Sequence, residues 1–498
     1  MTSMHPQDSS GVIPKPILLA AMLLALLAWL WIGRQAGSVA AQLPETTGAD
    51  PSALISNPEI LFSTFFGGDS SECQFDRCTV AVGQDGSIYV AGTTTSADFP
   101  RVNSYGECQN SRDNVFVVKI AANGASLMYS SCIGPGAANG IAVDNQGHAY
   151  VTGKTASSLF PTTANAAQPI RGGGLDAFVI KVSADGNDLL YGTYLGGARD
   201  DDGYDVAVDN AGNMYVTGGA RSADFPTVNA FQPQKGDTST INRDAFLAKI
   251  SASGAFVFST YLGGEESDIG YALALDDAGH IYVGGITNSN DFPKRNPIQT
   301  CRDGNAASFC QDGFVTKFAP NGSSLVYSTH VSSGLTTADS VRAIAVDAQG
   351  NAYVTGTSYL RAVLKINAAG SAFAYYTQIE GLDIGQRLAV NELGQVWLAG
   401  NYRAGAVRDA QVVGLNSLGR VVVNHRLGGS DEDQGMGIAL ATANSVYVVG
   451  RTRSSDFPTL NPLQPGLHGP NDLFITQLQM QIMEQSDVFL PLIVLSNR

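Results

Sequence analysis

The stretch "DNAGNMYVTGGARSADFP", Asp209 to Pro226, decides the fold, because most of it recurs elsewhere in the chain. "DNQGHAYVTGKTASSLFP" starts at Asp144 and "DDAGHIYVGGITNSNDFP" at Asp276. The aromatic before each V-x-G falls at Tyr89, Tyr150, Tyr215, Tyr282, Tyr353, Trp397 and Tyr447, seven copies spaced 44 to 71 residues apart. Repeats of this length are supersecondary units that bury their faces against their neighbours.

Three residues before each aromatic stand Gly86, Gly147, Gly212, Gly279, Gly350, Gly394 and Asn444. These are the residue types a hairpin turn with positive φ demands, so each phrase reads as strand, tight turn, strand. A third strand follows: "AFVIKV" at Ala177, "AFLAKI" at Ala245, "GFVTKF" at Gly313 and "LFITQL" at Leu473. A fourth follows a second glycine turn: "LLYGTYLGG" at Leu189, "FVFSTYLGG" at Phe256 and "LVYSTHVSS" at Leu325. The fold class is all-β, a seven-bladed propeller of four-stranded antiparallel blades.

The ends of the pattern set its closure. "ILFSTFFGG" from Ile60 is a fourth-type strand ahead of any complete blade, and the last repeat stops at its third strand, Leu473 to Leu478. Turns between third and fourth strands carry Gly124, Gly186, Gly254, Gly322, Gly370 and Gly419, one fewer than the blades. The N-terminal strand, about residues 60–66, is therefore expected to pair into the last blade and remove the open edge. In "SADFP" the Phe reads as a plug between blades and the Pro as a stop to further pairing.

The phrases "FSTYLGG" (from Phe258), "VDNAGNMYVTG" (from Val208) and "SADFPT" (from Ser222) resemble the SBBP repeat of exported bacterial seven-bladed β-propellers. The resemblance covers roughly residues 59–480. It weakens in blades five and six, where the spacing contracts and D-F-P is missing. It implies an extracellular binding or scaffolding module and brings no agreed catalytic residues.

The flanks and cysteines agree with export. "PILLAAMLLALLAWLWIG", Pro16 to Gly33, lies between Lys15 and Arg34, with small residues Ser38, Ala40 and Ala41 downstream. Residues 1–40 thus read as a cleaved signal peptide or a retained signal anchor, which would be the only membrane attachment. Residues 41–58 read as a linker, 59–480 as the propeller and 481–498 as an apolar tail. In an exported protein six cysteines are staples. Cys301 and Cys310 bracket one insertion, while Cys73, Cys78, Cys108 and Cys132 allow three pairings.

With 44 acidic against 29 basic residues the net charge is −15, and no Lys/Arg cluster offers a nucleic-acid surface. Cationic ligands, metals or neutral glycans suit the chain better. Strand alternation puts the two-to-three loops and the loops between blades on one face. Its two-to-three loops are long in blades one to four and seven and short in five and six. The same face gathers Asp69, Glu72 and Asp76; Asp200, Asp201, Asp202 and Asp205; Glu265, Glu266 and Asp268; Asp431, Glu432 and Asp433. Hard oxygen donors at this density suit Ca²⁺, and "ARDDDGYD" (Asp200, Asp201, Asp202, Asp205) is the first candidate, although it lacks D-x-D-x-D-G spacing. Otherwise the acids cap turns.

His148 and His280 sit in hairpin turns, and no nucleophile–base motif is present. Lys119, Lys181, Lys249, Lys317 and Lys365 recur on third strands, as solvated positions off the core. The expectation is a secreted or cell-surface binding module, not an enzyme, taking a protein or polysaccharide on its acidic, loop-rich face. The alternative is a carbohydrate-active enzyme, a glycoside hydrolase or polysaccharide lyase, using two carboxylates of that face.

Overall fold

The computed structural model describes residues 58–479, apart from 74–76, 110–111, 301–310, 333–338, 358–360 and 405–406. The leader, most of the linker, the tail, Asp76, Cys301 and Cys310 lie outside the described residues.

Seven four-stranded antiparallel sheets follow one another along the chain. Blade one is β2 (Thr79–Val82), β3 (Ile88–Thr94), β4 (Asn114–Ile120) and β5 (Leu127–Pro135). Blade two is β6 (Ala137–Val143), β7 (Ala149–Thr155), β8 (Asp176–Val182) and β9 (Leu189–Leu195). Blade three is β10 (Asp201–Val208), β11 (Met214–Ala220), β12 (Asp244–Ile250) and β13 (Phe256–Leu262). Blade four is β14 (Asp268–Leu275), β15 (Ile281–Thr287), β16 (Asp312–Phe318) and β17 (Leu325–Val331). Blade five is β18 (Ser340–Val346), β19 (Ala352–Thr357), β20 (Ala362–Ile366) and β21 (Phe373–Gln378). Blade six is β22 (Leu382–Val390), β23 (Val396–Ala404), β24 (Val407–Leu415) and β25 (Val421–Leu427). Blade seven is β26 (Asp433–Thr442), β27 (Ser445–Thr452) and β28 (Asp472–Gln479), and β1 (Glu59–Phe66) completes it. The pairing Phe65↔Phe474 is part of the expected closure.

The turns form as the glycines imply. Gly86, Gly147, Gly212, Gly279, Gly350 and Gly394 have φ between 75° and 82°, where a Cβ would strain the backbone. Asn444 departs from the pattern: it is not left-handed, because β26 and β27 stay paired up to Thr442↔Ser445 and reverse in a tighter hairpin.

Neighbouring blades share the core. Tyr89, Val115 and Val117 of blade one pack in one cluster with Ile141, Val151, Phe160 and Phe178 of blade two. The phenylalanine of D-F-P is the plug: Phe225, 3% exposed, lies 4.6 Å from Phe246 and 5.8 Å from Tyr261 of its own blade between ring centroids, and shares one core cluster with Ala177, Val179 and Leu195 of blade two. The proline, however, does not end pairing. Two residues past Pro100, Pro226, Pro293 and Pro458, the backbone bridges the outermost strand at Val102↔Ser130, Val228↔Ser259, Arg295↔Ser328 and Leu460↔Ser63. Much of each long loop is thus a strap over its own blade's edge.

The third-strand lysines also differ from expectation. Lys119 is 4% exposed and Lys317 5%. Each ammonium lies 4.7–4.9 Å from the ring centre of its blade's tyrosine, and 3.7 Å from Asp85 or 3.3 Å from Asp276. Their stems cross the tyrosine face, and the turn aspartate completes a charge-satisfied stack that burial alone would forbid.

Candidate functional site

The loops between blades are built from a repeated clasp. In blade three, Asp201 accepts hydrogen bonds from the Gly197 amide (2.7 Å) and the Ser222 hydroxyl (2.7 Å). Ser222 Oγ in turn accepts from the Arg199 amide (2.9 Å), and Asp224 accepts from the Ala198 amide (3.0 Å). The same bonds recur with Asp268, Ser289 and Asp291, and with Asp433, Ser454 and Asp456. In blade one Glu72, Ser96 and Asp98 take these places. The phrase S-x-D-F-P therefore recurs because its serine and aspartate tie the incoming loop to the exit of strand two.

The clasp carboxylates are buried beside a second acid from the preceding blade's third strand. Asp201 and Asp176 both crowd Gly196, Asp268 and Asp244 crowd Gly263, and across the ring closure Glu72 and Asp472 crowd Gly67. Burial pushes Glu72 and Asp268 up to about 8, Asp244 to about 7 and Asp201 to about 6, and raises Asp176, Asp433 and Asp472. Repetition of these pairs beneath the loops, out of solvent, marks them as joints of the ring.

The four aspartates expected to hold Ca²⁺ go to separate partners. Asp200 pairs with Arg221 at 3.0 Å and accepts from the Leu175 amide, and Asp201 is the clasp acid. Asp202, 1% exposed, pairs with Arg243 and lies 3.4 Å from Lys154. Asp205 accepts from the amides of Leu273 and Val206 toward the ring axis. Strand alternation along β10 disperses them, and no group of three or more His, Cys, Asp or Glu with metal-site geometry exists among the described residues. Of the other acids, Glu432 pairs with Arg453 and Glu266 accepts from Asn242. The cysteines left open by the sequence pair as Cys73–Cys78 and Cys108–Cys132.

What the sequence reasoning missed lies on the axis. The innermost strand of six blades carries a bulge, and the skipped residue is Asn139, Tyr204, Tyr271, Arg342, Gln386 or Met436. Cys78 takes the same position in blade one. Each lies fourteen residues before the V-x-G glycine: Gly92, Gly153, Gly218, Gly285, Gly356, Gly400 and Gly450. The bulge explains that glycine, since a Cβ on Gly218 would overlap the Asp202 carbonyl oxygen and one on Gly356 the Ser340 carbonyl oxygen. All the bulge residues except Tyr204 line an axial cavity of about 150 Å³, which Arg77 and Arg387 also enter. Arg77 stacks on Tyr204 (4.5 Å to the ring centre) and Arg342 on Tyr271 (4.3 Å), and the two rings meet edge to face at 5.1 Å. Arg387 donates to the carbonyls of Arg342 (3.2 Å) and Asn139 (3.3 Å). A constant spacing with a variable residue type was the available signal.

Comparison with known proteins meets this geometry at the same joints. The SBBP beta-propeller repeat matches residues 134–161, 190–226 and 257–293. The chain carries SBBP repeats. The second and third matches run from a fourth strand through the clasp and the bulged inner strand to the proline of D-F-P. The SBBP unit is thus the junction between two blades. No curated protein matches the chain. Among solved structures it is similar to a chain of the mitotic checkpoint complex (10% identity, 88% of this chain and 96% of that one, TM-score 0.47). It is also similar to the β-propeller domain of Cps50 (Swd1) from Myceliophteria thermophila (7% identity, 85% and 100%, TM-score 0.48).

Proposed function

We propose that this SBBP-repeat propeller is an exported binding module that holds a protein or polysaccharide at the cell surface on its loop-bearing face. The observation that carries this is the placement of exposed apolar side chains. Leu159 (80% exposed), Ile170 (77%) and Ile241 (75%) all stand on the two-to-three loops of blades two and three. Rigid blades beneath protruding apolar and polar loops are the usual construction of a recognition surface. The apolar segment from Pro16 to Gly33 and the two disulfides support an oxidising destination outside the cytoplasm. Asp200, Glu266 and Glu432 on this face are engaged with Arg221, Asn242 and Arg453, and the clasp carboxylates are buried, which supports binding over turnover.

The test is capture of surface polysaccharides and envelope proteins by the purified chain and by the double variant Ile170→Glu, Ile241→Glu. Both sites are exposed, so the melting temperature should not change while capture falls at least tenfold. Equal capture by the variant would move the ligand off this face.

A further inference from the structure

The loop face leaves the axial cavity unexplained. The chain is acidic, with net charge −15, yet its axis concentrates Arg77, Arg342 and Arg387 around one small cavity. Among the described residues, Asp205 is the carboxylate coupled to this group, through Arg387 and Arg77. Asp202 lies nearby but is occupied by Arg243 and Lys154. Three half-buried guanidiniums against one carboxylate leave two positive charges in excess around the cavity. Burial, with a smaller contribution from repulsion by Arg387 and Arg342, holds the Arg77 guanidinium down at about 10. The buried Nε of Arg342 has no hydrogen-bond partner, although its neighbours are polar. Tyr204 and Tyr271 hold two of the guanidinium planes by stacking.

We propose that the axial cavity is a binding site for a tetrahedral dianionic oxyanion: free phosphate or sulfate, or the phosphate monoester group of a larger ligand. Two negative charges neutralise the excess at the axis, and planar guanidinium forks match such oxygens in two-point hydrogen bonds. A volume of about 150 Å³ admits one such group with several waters. Arg342 and Arg387 come from blades five and six, the two with the shortest loops on the ligand face.

Isothermal titration of the full chain with inorganic phosphate, inorganic sulfate and glucose 6-phosphate, at ionic strength held constant with chloride, tests the site. Two variants carry opposite expectations. Arg342→Gln should weaken binding at least tenfold, and it should fold, because Gln386 occupies the same bulge in blade six. Asp205→Asn should tighten binding about fivefold, since it removes the competing charge. Binding of the inorganic ions identifies a free-anion site, and binding of the sugar phosphate alone identifies an ester site. No saturable binding of any of the three overturns the proposal, as does unchanged affinity in a folded Arg342→Gln protein. Capture of polysaccharide or protein on the outer loops would be untouched by that failure.

Discussion

The buried carboxylates at the blade junctions make a specific demand on pH, and Asp268 carries it most directly. Its carboxyl is pushed up to about 8 by burial, from 3.8 in water. Between those values the unfolded chain has released a proton that the folded ring retains. The folded state therefore gains stability below pH 4 and loses it as the pH rises toward 8. From pH 5 to pH 8 this one group costs about 4 kcal/mol, at 1.36 kcal/mol per unit. A chain this long converts that into about 4 °C of melting temperature. In Asp268→Asn the amide oxygen still accepts from the Gly264 amide and the Ser289 hydroxyl, but the proton dependence is gone. Thermal melts of both proteins at pH 5 and pH 8 should show the wild type dropping further, with the variant more stable at pH 8. Asp244→Asn, at a carboxyl raised to about 7, should show a smaller rescue. Parallel pH profiles for wild type and Asp268→Asn would refute the argument that these acids are folded in their protonated form.

Three further outcomes follow from packing. Phe225→Ala should cost about 3–5 kcal/mol in denaturant unfolding, since it empties the contact with Phe246 and Tyr261. Gly218→Ala should cost more than about 2 kcal/mol by forcing Cβ into the Asp202 carbonyl, whereas Gly466→Ala, with nothing within 4 Å, should leave the melt unchanged. Loss of Cys108–Cys132, with a sequence separation of 24, should destabilise by about 3 kcal/mol, against about 2 kcal/mol for Cys73–Cys78, with a separation of 5. Single Cys→Ser variants read by equilibrium unfolding under non-reducing conditions would check that order.

The ring was legible in the sequence because turn glycines and paired strands need the same residues in every blade. Counting Gly124 to Gly419 was enough to locate the closure at β1. The chemistry of side chains was less legible. Lys317 looked solvated because its own strand says nothing of Tyr282 beside it or of Asp276 in the turn. Asp200, Asp201 and Asp202 looked like one cluster because sequence proximity hides the alternation that separates them. The axial ring escaped notice for the opposite reason: Asn139, Tyr204 and Arg342 share a position and no chemistry, and only the bulge unites them.

The closure at β1 has a consequence for manufacture. Ser63 of the first strand meets Thr476 of the last, 413 residues later. Synthesis begins at the N-terminus, so β1 waits unpaired until nearly the whole chain exists. A product cut short anywhere before β28 keeps two raw edges, one at β1 and one at its last blade, and both invite aggregation or proteolysis. Closure thus depends on chain length: a finished molecule pairs β1 with β28, and a truncated one leaves both raw edges open.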